Sequence, residues 1–152
     1  EGGAKHVILT VATGVLAAEK IAFVPPLPEA KQAAIADLPN GLLNKVGIEF
    51  DGAWRGASQG EMADYHSGDA EFATLLFGFC DTPLAVGFVA GRFADALEVE
   101  GPGAATDNVL QALRTTYGAD ALKHVRRTEG TAWRSIPPCM AHTSAAGVRR
   151  IR

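Results

Sequence analysis

Cysteine is scarce in this chain: Cys80 and Cys139 are the only two in 152 residues, far apart and without a C-x-x-C partner. A cysteine-based metal knuckle needs closely spaced pairs, so that class is excluded. The two thiols read most simply as buried groups of a cytoplasmic protein, with a disulfide as the other use for them. The four histidines, His6, His66, His124 and His142, are scattered and lack the close spacing of a metal-binding helix. No metal is expected. Positive charge is not in excess either. The formal net charge of −3 gives no electrostatic case for nucleic acid. No apolar run approaches the ~20 residues of a membrane helix, and Glu1-Gly-Gly-Ala-Lys-His6 lacks the basic start and longer apolar run of a signal peptide. The expected partners are therefore small molecules, not nucleic acid or membrane.

What is present is ordinary for a globular domain, with 47% hydrophobic and 20% charged residues. At 15.9 kDa the chain can enclose one core but not comfortably two. The 17 glycines and 8 prolines sit mostly at element boundaries. Residues 42–50 alternate cleanly: Asn44, Val46, Ile48 and Phe50 point one way, Leu43, Lys45, Gly47 and Glu49 the other. That is a half-buried strand with a lysine on its second face.

The apolar run at 5–11 predicts a strand buried on both faces, followed by one or two helical turns within 12–20. Pro28 suits the first turn of a helix over 29–38, which Pro39-Asn-Gly41 stops. Residues 53–60 are glycine-rich and read as a loop. Strands are predicted at 62–66, 71–79 and 84–90, the last two joined by a turn at Cys80-Asp-Thr-Pro83. A brief helix is predicted at 91–98. Thr106 is a plausible N-cap for a helix over 107–117, where Val109, Leu110, Leu113 and Tyr117 form an apolar stripe and Gly118 ends it. A last strand is predicted at 122–128, with His124 and Arg126 on one face. Strand, helix, then antiparallel strands broken by helices is an α+β order, with a mostly antiparallel sheet flanked by helices. Residues 1–134 are expected to form a single domain and 135–152 an irregular tail.

Three segments carry a resemblance. His6-Val-Ile-Leu-Thr-Val-Ala-Thr-Gly-Val-Leu16, Ile21-Ala-Phe-Val-Pro-Pro-Leu-Pro-Glu-Ala-Lys31 and Gly41-Leu-Leu-Asn-Lys-Val46 closely resemble the flavin-containing amine oxidases, which include monoamine oxidases, polyamine oxidases and lysine-specific histone demethylases. The likeness continues more loosely through Phe50-Asp-Gly-Ala-Trp54 to Thr131-Ala-Trp133. It implies that residues 20–125 form the substrate-binding part and that the strand at 5–11 belongs to the flavin-binding part. It also implies FAD as cofactor, with Val11 and Trp133 bordering it. The lysine at the position of Lys45 is implied to sit close to flavin N5 through a water, assisting amine oxidation or the later reaction with oxygen. Burial disfavours a lysine's charge, which is how such a lysine becomes a proton acceptor.

The chain departs from that pattern in two places. No G-x-G-x-x-G follows an N-terminal strand, so the helix N-terminus and amides that hold the pyrophosphate are not supplied. The family's later run with an aromatic facing the flavin is replaced by Ser135-Ile-Pro-Pro-Cys-Met-Ala-His-Thr-Ser144. The expectation is a substrate-domain portion that does not hold FAD or complete amine oxidation alone.

A second chemistry is open. Gly56-Ala-Ser-Gln-Gly60 satisfies the G-x-S-x-G of serine hydrolases, whose glycines permit a sharp turn that exposes the serine. Asp64 and His66, two apart on one strand face, or His124, could supply the carboxylate and base that Ser58 needs. The chain would then be an esterase. A third alternative is a non-catalytic module that binds small ligands or forms a homo-oligomer through apolar surface. Trp54 reads as core or pocket lining, and Cys80 as a packing residue.

Overall fold

The alternation at the centre of the chain decides the architecture. The computed structural model describes residues 5–67, 71–135 and 143–144. Its central strand, β2 (Leu43–Phe50), buries Asn44, Val46, Ile48 and Phe50 and turns Leu43, Lys45, Gly47 and Glu49 away from the core. The phase is the one the sequence predicts. β2 lies between β5 (Leu84–Ala90) and β6 (Val125–Gly130), antiparallel to both. β4 (Glu71–Phe77) and β3 (Met62–Ser67) extend the sheet to the order β3-β4-β5-β2-β6. β1 (Asn40–Gly41) pairs separately with β7 (Thr143–Ser144). The protein is an α+β fold with an antiparallel sheet and flanking helices.

All the inward side chains meet helices on one face. Ala73, Leu75, Phe77, Ala85 and Val89 join the β2 residues, and α3 (Gly91–Glu100) adds Ala94 and Leu97. α4 (Ala104–Tyr117) contributes Val109, Ala112 and Leu113, and α5 (Asp120–Lys123) Ala121. Gly87 makes the helix–sheet contact possible: a Cβ there would meet Val109 Cγ1 at 2.3 Å. Further up the chain, α1 (Thr13–Ala17) and α2 (Glu29–Ala36) lie against each other and bury no residue of their own. Pro28 stands just before α2, at its N-cap.

Several expectations need correction. The strand predicted at 5–11 does not form; Val7 and Ile8 are 75% and 88% exposed. Apolar, β-branched composition makes a strand only where a partner satisfies its backbone, and no described strand pairs with this one. Thr106 is inside α4, not its cap. The helix starts earlier because Gly103, at φ 106°, turns the chain so that its carbonyl accepts the Asp107 N–H at 2.8 Å. The strand predicted at 122–128 begins only at Val125, since Leu122 and Lys123 belong to α5. His124 caps that turn, donating its N–H to the Ala121 carbonyl at 3.2 Å, so it does not share a strand face with Arg126. Cys80 is exposed, in a 3₁₀ turn where it and Asp81 have positive φ. Most of the predicted tail, with Cys139 and His142, lies outside the described residues.

The 53–60 segment is a loop, held by aromatic and carboxylate contacts. Trp54 stacks on Phe50 at 4.4 Å between centroids and meets Tyr117 edge-on at 5.5 Å. Glu61 accepts the Ser58 N–H at 2.7 Å and the Tyr117 hydroxyl at 2.6 Å. These bonds hold the Glu61 carboxyl below its usual range, the Ser58 N–H contributing most. The same carboxylate and, above all, burial push the Tyr117 phenol up.

Two outcomes follow from this packing. Gly87→Ala forces Val109 or the strand to move, so it should lower unfolding stability by about 1–3 kcal/mol in urea titrations, without changing the m-value. A carboxyl whose pKa is depressed on folding stabilises at pH above its unfolded value, and that contribution is lost as pH falls through the folded one. The stability gap between wild type and Glu61→Gln should therefore be widest near neutral pH. It should close as pH drops below the ordinary Glu value of 4.5, as read from urea midpoints across pH.

Candidate functional site

Because α3, α4 and α5 gather on one side, no described helix buries the apolar residues of the other face of the sheet. Strand register sets what that face displays. Met62, Leu76, Val86 and Gly47 line up across β3, β4, β5 and β2, and Asp64, Thr74, Phe88 and Lys45 form the adjacent row. Phe72 and Leu84 extend the apolar surface, both exposed, while Met62 is 66% exposed. Negative charge lies toward the margins. Glu49 faces Arg127 of β6 at 3.3 Å, an exposed pair worth at most ~1 kcal/mol. Asp64 accepts the Thr74 hydroxyl at 2.8 Å.

Lys45 ends the second of these rows, directly opposite Phe88. Its side chain is exposed, and its backbone is pinned from the far side. The Lys45 N–H donates to Thr131 Oγ1 at 2.9 Å, and the Thr131 N–H donates to the Lys45 carbonyl at 2.9 Å. Asp64 and His66 share this face with Lys45, on the edge strand β3, three strand spacings or ~14 Å away. The His66 ring packs on Phe72 at 4.8 Å.

Ser58 is elsewhere. It opens onto a cavity of about 520 Å³ shared with Phe50, Trp54, Phe77 and Leu84. Among the described residues no histidine hydrogen-bonds to it. The flanking glycines have packing reasons: a Cβ at Gly56 would strike the Trp54 indole at 2.5 Å, and Gly60 turns at φ 74°. The chain then enters strand β3, not a helix. His124 is engaged just beyond the Phe50 end of β2, its Nδ1 2.9 Å from Asp51 Oδ2 and its Nε2 3.7 Å from Asp120 Oδ2. The hydrogen bond to His124 is the main cause of the lowered Asp51 pKa. Val11 is exposed in the unpaired segment. Trp133 lies in the 3₁₀ turn Trp133–Ser135, its N–H 3.2 Å from Asn44 Oδ1.

Sequence reasoning passed over Asn44, Glu61, Glu98 and Tyr117. Two signals were legible. Asn44 is the lone amide in the buried phase of β2, and Glu61 stands three residues after Ser58 in an S-x-x-E spacing.

Known proteins match this chain over nearly its whole length. The family model described as flavin containing amine oxidoreductase matches residues 2–149. Lysine-specific histone demethylase 1 homolog 3 of Arabidopsis thaliana is 31% identical over 141 residues, covering 86% of this chain and 8% of the relative. Polyamine oxidase 4 of Oryza sativa subsp. japonica is 35% identical over 108 residues, covering 70% of this chain and 22% of the relative. The chain thus spans less than a quarter of the length of either relative. On this extent of matching, the chain belongs to the flavin containing amine oxidoreductase family.

Proposed function

We propose that this chain supplies one wall of the substrate cavity of an FAD-dependent amine oxidase, with Lys45 as its proton-handling residue. The observation that carries the reading is the placement of Lys45 opposite Phe88 and beside the Met62, Leu76 and Val86 row, on the sheet face that the described helices leave open. Leu76, Val86 and Phe88 offer half-buried surface for the alkyl part of an amine. Asp64 and Glu49 carry the negative charge that attracts its ammonium group. Covering this face would exclude water and disfavour the Lys45 charge, leaving Nζ able to accept a proton.

The described residues fit FAD only in part. Lys45, Phe88 and the apolar row beside them can border a flat ring, but no described strand, glycine turn and helix form a cradle for the pyrophosphate. A bound flavin supplies the two-electron oxidation of an amine; this chain's own share is to bind, orient and hold a proton at Lys45. The esterase reading has no geometric support among the described residues, where Ser58 has a carboxylate neighbour and no histidine bonded to it.

Titrating the chain with a linear alkyl diamine should shift backbone NMR resonances of Lys45, Phe88, Leu76 and Val86. Shifts clustered at 56–61, or none at all, would sink the reading. The chain purified alone should show no flavin absorbance in the visible. Stoichiometric yellow colour would show that it holds the cofactor by itself. Hydrolysis of short-chain aryl esters should stay at background and be the same in Ser58→Ala, read in a standard release assay.

A further inference from the structure

Asn44 is fully buried within an apolar core, a position where an amide costs stability unless its donors and acceptors are met. They are met by two other segments. Nδ2 donates to Glu98 Oε1 on α3 at 2.7 Å. Oδ1 accepts the Trp133 N–H at 3.2 Å and the Thr131 hydroxyl at 3.4 Å. Glu98 Oε1 also accepts the Arg134 N–H at 3.2 Å, while the Arg134 guanidinium reaches Asp95 at 3.1 Å. Thr131 in turn bonds the backbone of Lys45 on both sides. One amide therefore joins the lysine-bearing strand, helix α3 and the 131–134 turn.

We infer that Asn44 and Glu98 are positioning residues, a clasp that holds the 131–134 turn against β2 and α3 and so fixes, through Thr131, the backbone of Lys45 in the proposed amine-binding face. An aliphatic side chain at position 44 would fill the same space but leave the Trp133 N–H without this acceptor and the Glu98 carboxylate without this donor. The role assigned to the position rests on the proposed function. The clasp itself is testable with neither flavin nor amine, so failure of one is distinguishable from failure of the other.

Asn44→Asp keeps the shape but replaces the Nδ2 donor by an acceptor facing Glu98. Two carboxylates so close cannot both stay charged without repelling. Amide hydrogen exchange should show protection of Trp133 and Arg134 falling roughly ten-fold at neutral pH, with a shifted Trp133 indole resonance, and partial recovery in acid as one proton is shared. Amides of β4 and β5 should change little. The swap Asn44→Asp with Glu98→Gln restores a donor–acceptor pair between the two side chains and should return the Trp133 signals to wild type, while the Arg134 N–H, now facing the amide nitrogen introduced at position 98, stays less protected. Glu98→Ala, on the half-exposed side of the clasp, should reproduce the local loss without disturbing the core. Unchanged Trp133 and Arg134 protection overturns the inference. So does a loss spread evenly over β4 and β5, including global unfolding, in both single variants, or a swap that restores nothing.

Discussion

The antiparallel pairing of β2 with β5 on one side and β6 on the other is the constraint from which the rest follows. Pairing on both edges satisfies the whole backbone of β2, so its side chains are free to divide strictly by face. Val46, Ile48 and Phe50 need cover, and helices α3 and α4 supply it. Once those helices are on one side, Lys45 is on the other. The exposure of that lysine is thus a consequence of how the core is built, not a separate local preference.

Two polar anchors carry this arrangement to the ends of the sheet. At one end Glu61 ties the 53–60 loop to Tyr117 of α4, with Phe50, Trp54 and Phe77 packed beside it. At the other end Asn44 and Glu98 tie the 131–134 turn to α3. Both use a side chain that accepts two hydrogen bonds, and both join segments far apart in the chain. A carboxylate or amide in such a place is stabilising only while every partner is present, which makes these anchors sensitive to single substitutions.

The family to which the chain belongs gives Lys45 its context. A lysine on a sheet face beside one apolar row has little chemistry while it faces water. Its usefulness as a proton acceptor depends on desolvation, and hence on what covers the face. The relatives are several times longer than this chain.

Much of the fold was legible in the sequence because it rests on local signals. The period of two in 42–50, the prolines and glycines at element ends and the apolar stripe of Val109, Leu113 and Tyr117 report which side chains share a face, whatever packs against them. The site was legible in part: the phase of Lys45 follows from alternation, and the chemical role proposed for it comes from resemblance alone. What tertiary structure decided depends on partners distant in sequence. The run at 5–11 has strand composition but no described partner. Leu122 and Lys123 close a helical turn because Asp51 and Ala121 engage His124 there. Ser58 matches a catalytic spacing, yet its flanking glycines answer to the Trp54 ring and a left-handed turn. Above all, Asn44 reads as an ordinary polar residue out of place until Glu98 and Trp133 are brought to it. Composition and period are properties of a segment, whereas a buried hydrogen bond is a property of a pair, and only the folded chain chooses the pair.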